Sequence, residues 1–276
     1  MALNKSQIRD AIEFQLKDSS NQTWVTEEID AAIERVVREV SKAEPKLEYT
    51  YLPIDQYTRF VNINSLTGLI NIIANRVEWP YGASSPNFRN YTEKGNRLEL
   101  RLRTVPTITE DTLDGTVTFT KDSSTVSGSS TSFKSVLQDG YFIRVSSGTH
   151  WYRIAKVVSD TELTLENSFE EDTVNDDENT VYRDGEGCVC VCWGKPYSLT
   201  ESASDIPPEL EEIVITGGVA HCLAAEAVDT TDMVNIGENA ANLYLQNTRK
   251  EIAIYLEALA GLGRPEDDME AIYPID

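Results

Sequence analysis

Arg97-Leu-Glu-Leu-Arg-Leu-Arg103 alternates without a break. Leu98, Leu100 and Leu102 fall on one side of an extended chain, and Arg97, Glu99, Arg101 and Arg103 on the other. Successive side chains of a strand point to opposite faces, so this stretch predicts a strand with one buried and one wet face. It follows Arg76-Val-Glu-Trp-Pro80 and Asn87-Phe88. Further upstream, Arg59-Phe-Val-Asn-Ile63 and Gly68-Leu-Ile-Asn-Ile-Ile73 read as short strands. The next strongly apolar strand, Gly187-Cys-Val-Cys-Val-Cys-Trp193, comes about 85 residues later and is the expected partner of 97–103.

Between the two lies a self-contained β pattern. Gly115-Thr-Val-Thr-Phe-Thr120 leads to a turn at Lys121–Ser124 and then Thr125-Val-Ser-Gly128. Tyr141-Phe-Ile-Arg-Val145, Trp151-Tyr-Arg-Ile154 and Thr161-Glu-Leu-Thr-Leu165 follow, with turn formers at Gln138-Asp-Gly140 and Ser159-Asp160. Short strands at this spacing predict a small sandwich or barrel inserted at an exposed loop of the first sheet. The acidic stretch Glu170 to Glu178 is expected to be its exit linker.

Helices flank the β region. Asn4 and Gln7 stand at capping-box spacing before Ile8, Ala11, Ile12 and Leu16, and Ser19-Ser20-Asn21 ends that pattern. Thr26 is the expected cap of a second helix, with Glu27, Glu28 and Asp30 at its positive end and a stripe of Ile29, Ile33, Val36, Val37 and Val40. Asp205, Pro207 and Pro208 open a third helix, on which Leu210, Ile213, Val214, Gly217, His221 and Ala224 share a face. Gly217-Gly218 would admit another backbone closely. A fourth helix starts near Glu238 with Ala241, Leu245, Thr248, Ile252, Leu256 and Leu259 on one side, and ends at Gly261 and Gly263. The fold class is therefore α+β: a helical bundle with a small antiparallel sheet and an inserted all-β domain. The expected boundaries are 1–111 with 183–264 for the discontinuous core, 112–182 for the insertion, and 265–276 for an acidic tail.

The 276 residues hold 24 basic and 46 acidic side chains, a net charge of −22. Such a surface repels duplex DNA and anionic membranes at long range, which disfavours a chromosome-binding or membrane-surface role. No apolar run approaches the ~20 residues that span a bilayer. The first residues lack the basic and apolar regions of a signal peptide. Four cysteines in so long a chain give no disulfide framework.

The residues offer little catalytic chemistry. His221 abuts Cys222, but neighbouring helical residues face different ways, so a helix-packing histidine is expected. His150 follows Ser147-Gly148 and reads as an exposed turn residue. Cys188, Cys190 and Cys192 share a strand face without the knuckle spacing of structural zinc, and read as small buried apolar residues. Gly185-Glu-Gly187 has no following helix to make a dinucleotide site, and residues 170–178 lack the spacing and central glycine of a calcium loop. Tyr141, Phe142, Trp151 and Tyr152 could stack sugars or bases, but alternation puts half of them in the core and few basic residues lie nearby. No catalytic residue, cofactor or metal is expected.

In its order of parts the chain resembles the head–tail connector (adaptor) proteins of tailed bacteriophages, over residues 3–103 and 187–262. The resemblance rests on the N-terminal helix pair with Trp24 leading into the second helix, on Val77-Glu-Trp-Pro80 with Phe88, and on Ile206-Pro-Pro-Glu-Leu210 before a small-residue helix. The segment from Gly115 to Leu165 resembles a β module that recurs in phage virion proteins; plainer adaptors lack so large an insertion. The resemblance implies a non-enzymatic structural subunit of the virion neck, made in the host cytoplasm and assembled as a ring, a homododecamer. Its partners would be the portal protein and a tail, stopper or terminator protein, with dsDNA only passing through and no membrane contact. In that family the C-terminal region commonly faces the portal, which makes Ile272, Tyr273, Pro274 and Ile275 the candidate portal contact. The β module by itself would suit another tail component, such as a baseplate or fibre-attachment protein.

Overall fold

The computed structural model describes residues 2–18, 22–81, 87–177, 180–231 and 238–262. In chain order, helices α1 (Lys5–Leu16) and α2 (Thr26–Ala43) precede strands β1 (Lys46–Pro53), β2 (Phe60–Asn62), β3 (Asn71–Glu78), β4 (Tyr91–Lys94) and β5 (Arg97–Leu100). Next come β6 (Glu110–Thr112), β7 (Thr116–Phe119), β8 (Thr125–Ser129), the single-turn helix α3 (Phe133–Val136), β9 (Phe142–Arg144), β10 (Tyr152–Ser159) and β11 (Glu162–Leu165). Strands β12 (Val174–Asp177), β13 (Val181–Arg183) and β14 (Cys188–Lys195) lead into helices α4 (Pro208–Thr231) and α5 (Glu238–Leu262). The protein is thus α+β, with five helices and several antiparallel sheets among the described residues. It divides into two compact units, Met1–Lys46 with Lys195–Asp276, and Leu47–Gly194.

The first unit is helical. At the start of α1 the Asn4 side chain accepts from the Gln7 N–H while Gln7 Oε1 accepts from the Asn4 N–H, the reciprocal box its sequence calls for. The loop beyond is drawn in by Asp18, whose buried carboxylate accepts from the N–H groups of Gln22, Thr23 and Trp24 at 2.8–2.9 Å. Foremost the Trp24 bond, with the other two, holds its carboxyl below the usual carboxylate range. The cap of α2 is Val25, one residue before the expected Thr26. The Val25 N–H donates to Glu28 Oε2 at 3.0 Å, so the first-turn carboxylate reaches back and satisfies the amide. Arg9 on α1 clasps Asp30 on α2 through two bonds of 2.7 and 2.9 Å.

Helix α4 is the centre of this unit. Ile8 and Ile12 of α1, Ile29, Ile33, Val36 and Val40 of α2, and Tyr255 of α5 join Leu210, Val214, Val219 and Ala220 of α4 in one core. A Cβ on Gly218 would lie 2.4 Å from Ile12 Cδ1, and one on Gly217 2.6 Å from Tyr255 Cε2 and 2.8 Å from Val36 Cγ1. The glycines therefore admit side chains of three other helices, not a neighbouring backbone as expected. On α5 the inward positions are Thr248, Ile252, Tyr255, Leu259 and Leu262, whereas Leu256 is exposed. The sequence stripe slips by one residue there because Tyr255 occupies the space above Gly217. Ala241 and Leu245 lie outside the described side chains.

The second unit is all β apart from α3. Its sheets run β1-β14-β3, β2-β5-β4 and β12-β7-β8-β11-β10-β9-β13-β6. The expected pairing of 97–103 with 187–193 is not what forms. Strand β5 pairs with β2 and with β4, while β14 pairs with β3. The hairpin β4–β5 closes over two residues, with Gly95 at φ +64° in the left-handed region, so the local partner is reached at far smaller loop-closure cost. The two stretches still meet, through side chains: Leu98, Leu100 and Leu102 pack with Val189, Val191 and Trp193 in one core. Strand β3 starts at Asn71 rather than Gly68 and runs through Val77-Glu78, so most of the 76–80 motif is strand.

The eight-stranded sheet surrounds a separate core of Val117, Phe119, Val126, Phe133, Ile143, Ile154, Leu163, Leu165 and Phe169. Its acidic end is not simply a linker. Val174–Asp177 is strand β12, antiparallel to β7, and Asp176 is buried. Asp176 accepts from the Ser146 N–H and hydroxyl at 2.8 and 2.7 Å and from the Thr180 hydroxyl at 3.0 Å. Ser146 follows β9, five strands away along the ladder, so the sheet curls until β12 lies beside the loop after β9.

The two glycine environments predict opposite signs. Gly217→Ala should destabilise the chain by about 1–3 kcal/mol through overpacking, despite alanine's better helix propensity. Gly261→Ala, with nothing within 4 Å of the added Cβ, should gain up to about 1 kcal/mol. Urea unfolding at neutral pH measures both.

Candidate functional site

In the helical unit, one polar cluster joins α1 and α2 through Lys5, Arg9, Asp30 and Glu34, and another is built on Glu39 of α2. Its Oε2 accepts from the Tyr255 hydroxyl at 2.7 Å and lies 3.1 Å from His221 Nε2; its Oε1 accepts from Arg35 Nε at 3.0 Å. The rings of His221 and Tyr255 meet edge-on, 5.7 Å apart. Burial alone would raise the Glu39 carboxyl, but the bonds from Tyr255, His221 and Arg35 outweigh it and bring it down to about 2. Burial, with the neighbouring Glu39 carboxylate, pushes the Tyr255 phenol up. The arrangement ties α2, α4 and α5 together. His221 is the helix-packing histidine expected, now with its partners named, and Cys222 turns elsewhere: its carbonyl accepts from Trp24 Nε1 at 3.2 Å.

His150 is exposed as expected, beside both Thr149 Oγ1 at 3.2 Å and Glu171 Oε1 at 3.1 Å. Both contacts fall on Nδ1. A relay needs the acid and the nucleophile on opposite ring nitrogens, so this trio cannot pass a proton from hydroxyl to carboxylate.

In the β unit, Glu166 gathers a second cluster. It accepts from Tyr51 at 2.9 Å, Tyr81 at 3.4 Å and Arg153 at 3.4 Å, and the Arg153 guanidinium sits 5.0 Å from the Tyr81 ring centre. Burial first, then the Glu166 charge, pushes the Tyr51 phenol far up. Nearby, Trp151 lies between two guanidinium groups, Arg144 and Arg183, each 5.1 Å from a ring centre. Arg183 also bonds Glu110 and donates to the carbonyls of Ile54 and Gly187. Trp151, Tyr152 and Phe142 are all buried, so none is a platform for a sugar or base; Tyr141 is half-buried.

The Val77–Pro80 motif is structural in the same sense. Val77 and Trp79 are buried, the Trp79 indole donates to the Glu186 carbonyl at 2.8 Å, and Arg89 donates to the Trp79 carbonyl at 2.8 Å while lying over its ring. Phe88 bridges to Glu78 and is 44% exposed. Cys188, Cys190 and Cys192 are buried along β14, and burial pushes the Cys190 thiol up to about 12. Gly187 closes a turn with its N–H on the Asp184 carbonyl at 2.9 Å. Among the described residues no group of three or more His, Cys, Asp and Glu stands in metal-binding geometry, and no helix is long and apolar enough to cross a membrane. Ile272, Tyr273, Pro274 and Ile275 lie outside the described residues.

Glu39, Tyr255 and Glu166 carry the main polar links yet are silent as sequence motifs. Tyr255 alone had a signal: it completes the 4-3-4-3 spacing of Thr248, Ile252, Tyr255, Leu259 and Leu262. Most donors and acceptors of these clusters meet one another, though the Nε atoms of Arg144 and Arg153 are buried without a hydrogen-bond partner among the described residues.

The Glu39 network predicts an acid dependence. Its carboxyl falls from an ordinary 4.5 to about 2 on folding, so its stabilisation is complete above about pH 4.5 and is lost as pH drops toward 2. Allowing for solvent screening, Glu39→Gln should cost about 2 kcal/mol at pH 7 and distinctly less at pH 3. Urea unfolding at the two pH values reads the difference; an equal loss at both would contradict it. No protein-family model matches the chain, and comparison with curated proteins returns no significant match.

Proposed function

We propose that this chain is a structural head-to-tail connector, the adaptor subunit of a tailed phage. It would form a ring, twelve copies in the resembled family, between portal and tail or stopper, through which dsDNA passes. The observation that carries the reading is the construction of the helical unit from both ends of the chain. An N-terminal helix pair packs on a C-terminal pair whose first member, α4, approaches its neighbours through Gly217-Gly218, and the β region runs between them in sequence. That is the order of parts on which the resemblance rests. Polar clusters that bind helix to helix and strand to strand suit a load-bearing subunit.

Residues 112–182 are read here as the inserted module. Their support is the separate core of the eight-stranded sheet; their one apolar seam joins Phe142 and Trp151 to Cys188 and Tyr51. The module favours, as a second reading, a baseplate or fibre-attachment subunit, since it resembles a β module that recurs in other virion proteins.

Three experiments test these readings. Purified chain mixed with portal rings should dock as a single ring of subunits in electron micrographs; a trimeric spike or a single copy in the virion neck would overturn the adaptor reading. Truncation after Arg264 removes Ile272 to Ile275, and the truncated chain should melt like the full chain yet fail to dock. Replacing residues 112–182 with a Gly/Ser linker should preserve the far-UV helical signal and a cooperative melt. Loss of all folded structure would make the β module part of the main core.

A further inference from the structure

Residues 59–103 invert the charge of the chain. These 45 residues hold seven of its 24 basic side chains and only three of its 46 acidic ones, leaving 17 basic and 43 acidic elsewhere. The inversion is not consumed by internal pairing. Glu99 is engaged by Lys94, whereas Arg97, Arg101 and Arg103 are exposed and have no carboxylate partner among the described residues. Elsewhere Lys5, Arg9, Arg35, Lys46, Lys121, Arg153 and Arg183 each meet a carboxylate, while exposed Lys17, Arg38, Lys42, Lys134, Lys156, Arg249 and Lys250 do not among the described residues. What distinguishes Arg97, Arg101 and Arg103 is their grouping, three such arginines within seven residues of a chain with nearly two acids per base.

Their placement is local and shaped. Arg59, Arg101 and Arg103 line an open groove of about 470 Å³ with Thr92, Glu99 and Leu100, on the sheet β2-β5-β4. Arg59 reaches the Arg103 carbonyl only at 3.5 Å, and its Nε is buried without a hydrogen-bond partner. Guanidinium groups gathered this way repel one another and hold unused donors, and both conditions are relieved by carboxylates or other oxyanions.

We propose that this arginine groove is an assembly surface that takes the acidic surface of a second copy of the chain. The inference rests on the ring reading and names the contact that would make such a ring possible. Copies that each carry −22 repel one another until close approach, where attraction must be local. The 59–103 region has net positive charge to supply it, and the remainder of an identical neighbour is its charge complement. A basic face on one copy against an acidic face on the next is a head-to-tail contact, the kind that closes into rings. Duplex DNA offers the same oxyanions, but a chain this negative opposes its approach and three free arginines neutralise few phosphates.

The test uses the full-length chain and the variant R97E/R101E/R103E, with R101Q/R103Q as a milder second variant. All substituted side chains are exposed, so far-UV circular dichroism and melting should match the unaltered chain. Sedimentation velocity at physiological salt, alone and on portal rings, should find association of the unaltered chain weakened about tenfold or more in the triple variant. The triple variant keeps the acidic face and lacks the basic one, so a minor fraction of it should cap and shorten assemblies of the unaltered chain. Association that is indifferent to the substitutions overturns the groove and leaves the ring reading standing. An unaltered chain that stays monomeric both alone and on portal rings removes the ring reading and the groove with it. Binding of a short DNA duplex that the triple variant loses, with self-association unchanged, assigns the groove to nucleic acid instead.

Discussion

The absence of two side chains at Gly217 and Gly218 is the constraint on which the helical unit depends. Three helices deliver Ile12, Val36 and Tyr255 to the same turn of α4, within distances that no Cβ would allow. Glycine in a helix costs about 1 kcal/mol of propensity each, and here that cost is offset by dispersion contacts among branched and aromatic groups at full packing density. It also fixes which residue of α5 faces inward. Tyr255 fits above Gly217 and carries its hydroxyl to Glu39, so the apolar contact and the charged network share one side chain. The helices that meet at this point are separated in sequence by a β unit of about 150 residues. Closure entropy grows only logarithmically with loop length, so a large intervening unit is tolerated once the junction is tight.

The β unit solves a different problem with different means. One apolar cluster joins its two three-stranded sheets, another fills the eight-stranded sheet, and polar links between them include Arg153 over Tyr81, Glu166 among two tyrosines and Arg183 on the Ile54 carbonyl. Guanidinium groups suit such seams because they stack on rings while still donating in their own plane. Arg183 does both, with Trp151 on its face and Glu110 and two carbonyls on its edge.

Much of this was legible in the sequence wherever the signal is local. The Asn4–Gln7 box, the stripe on α2 and the Leu98-Leu100-Leu102 face all follow from spacing within a few residues. Pairing was not legible, because alternation tells which face is buried but not which strand lies alongside. The spacing of residues 97–103 and 187–193 predicts sheet partners, yet they share a core without sharing hydrogen bonds. Strand β12 was hidden for another reason: Val-Asn-Asp-Asp reads as a solvated run, and its buried Asp176 is made tolerable by Ser146 and Thr180 from elsewhere in the chain. The candidate site was the least legible part. Its clusters are single residues brought from α2, α4 and α5, or from separate sheets, and such convergence has no sequence spacing to detect.

The acid excess itself acquires a structural account. Many carboxylates here do not serve as partners for bases; they receive backbone N–H groups that loops leave unsatisfied. Asp18 receives three, Asp139 receives Val157, Asp160 receives Lys134, Asp184 receives Thr109 and Glu211 receives Leu3. A carboxylate is acceptor-only and has room for several donors, which suits a chain with long irregular connections. In this protein an acidic side chain can therefore be explained by the fold without reference to a cation. The converse does not hold for arginine, which needs acceptors, and Arg9, Arg35, Arg153 and Arg183 have each found a carboxylate. Arg97, Arg101 and Arg103 have not, and folding gives no reason for their position. Three such charges grouped along and just after β5, beside Arg59, are the feature that a contact outside the monomer would use.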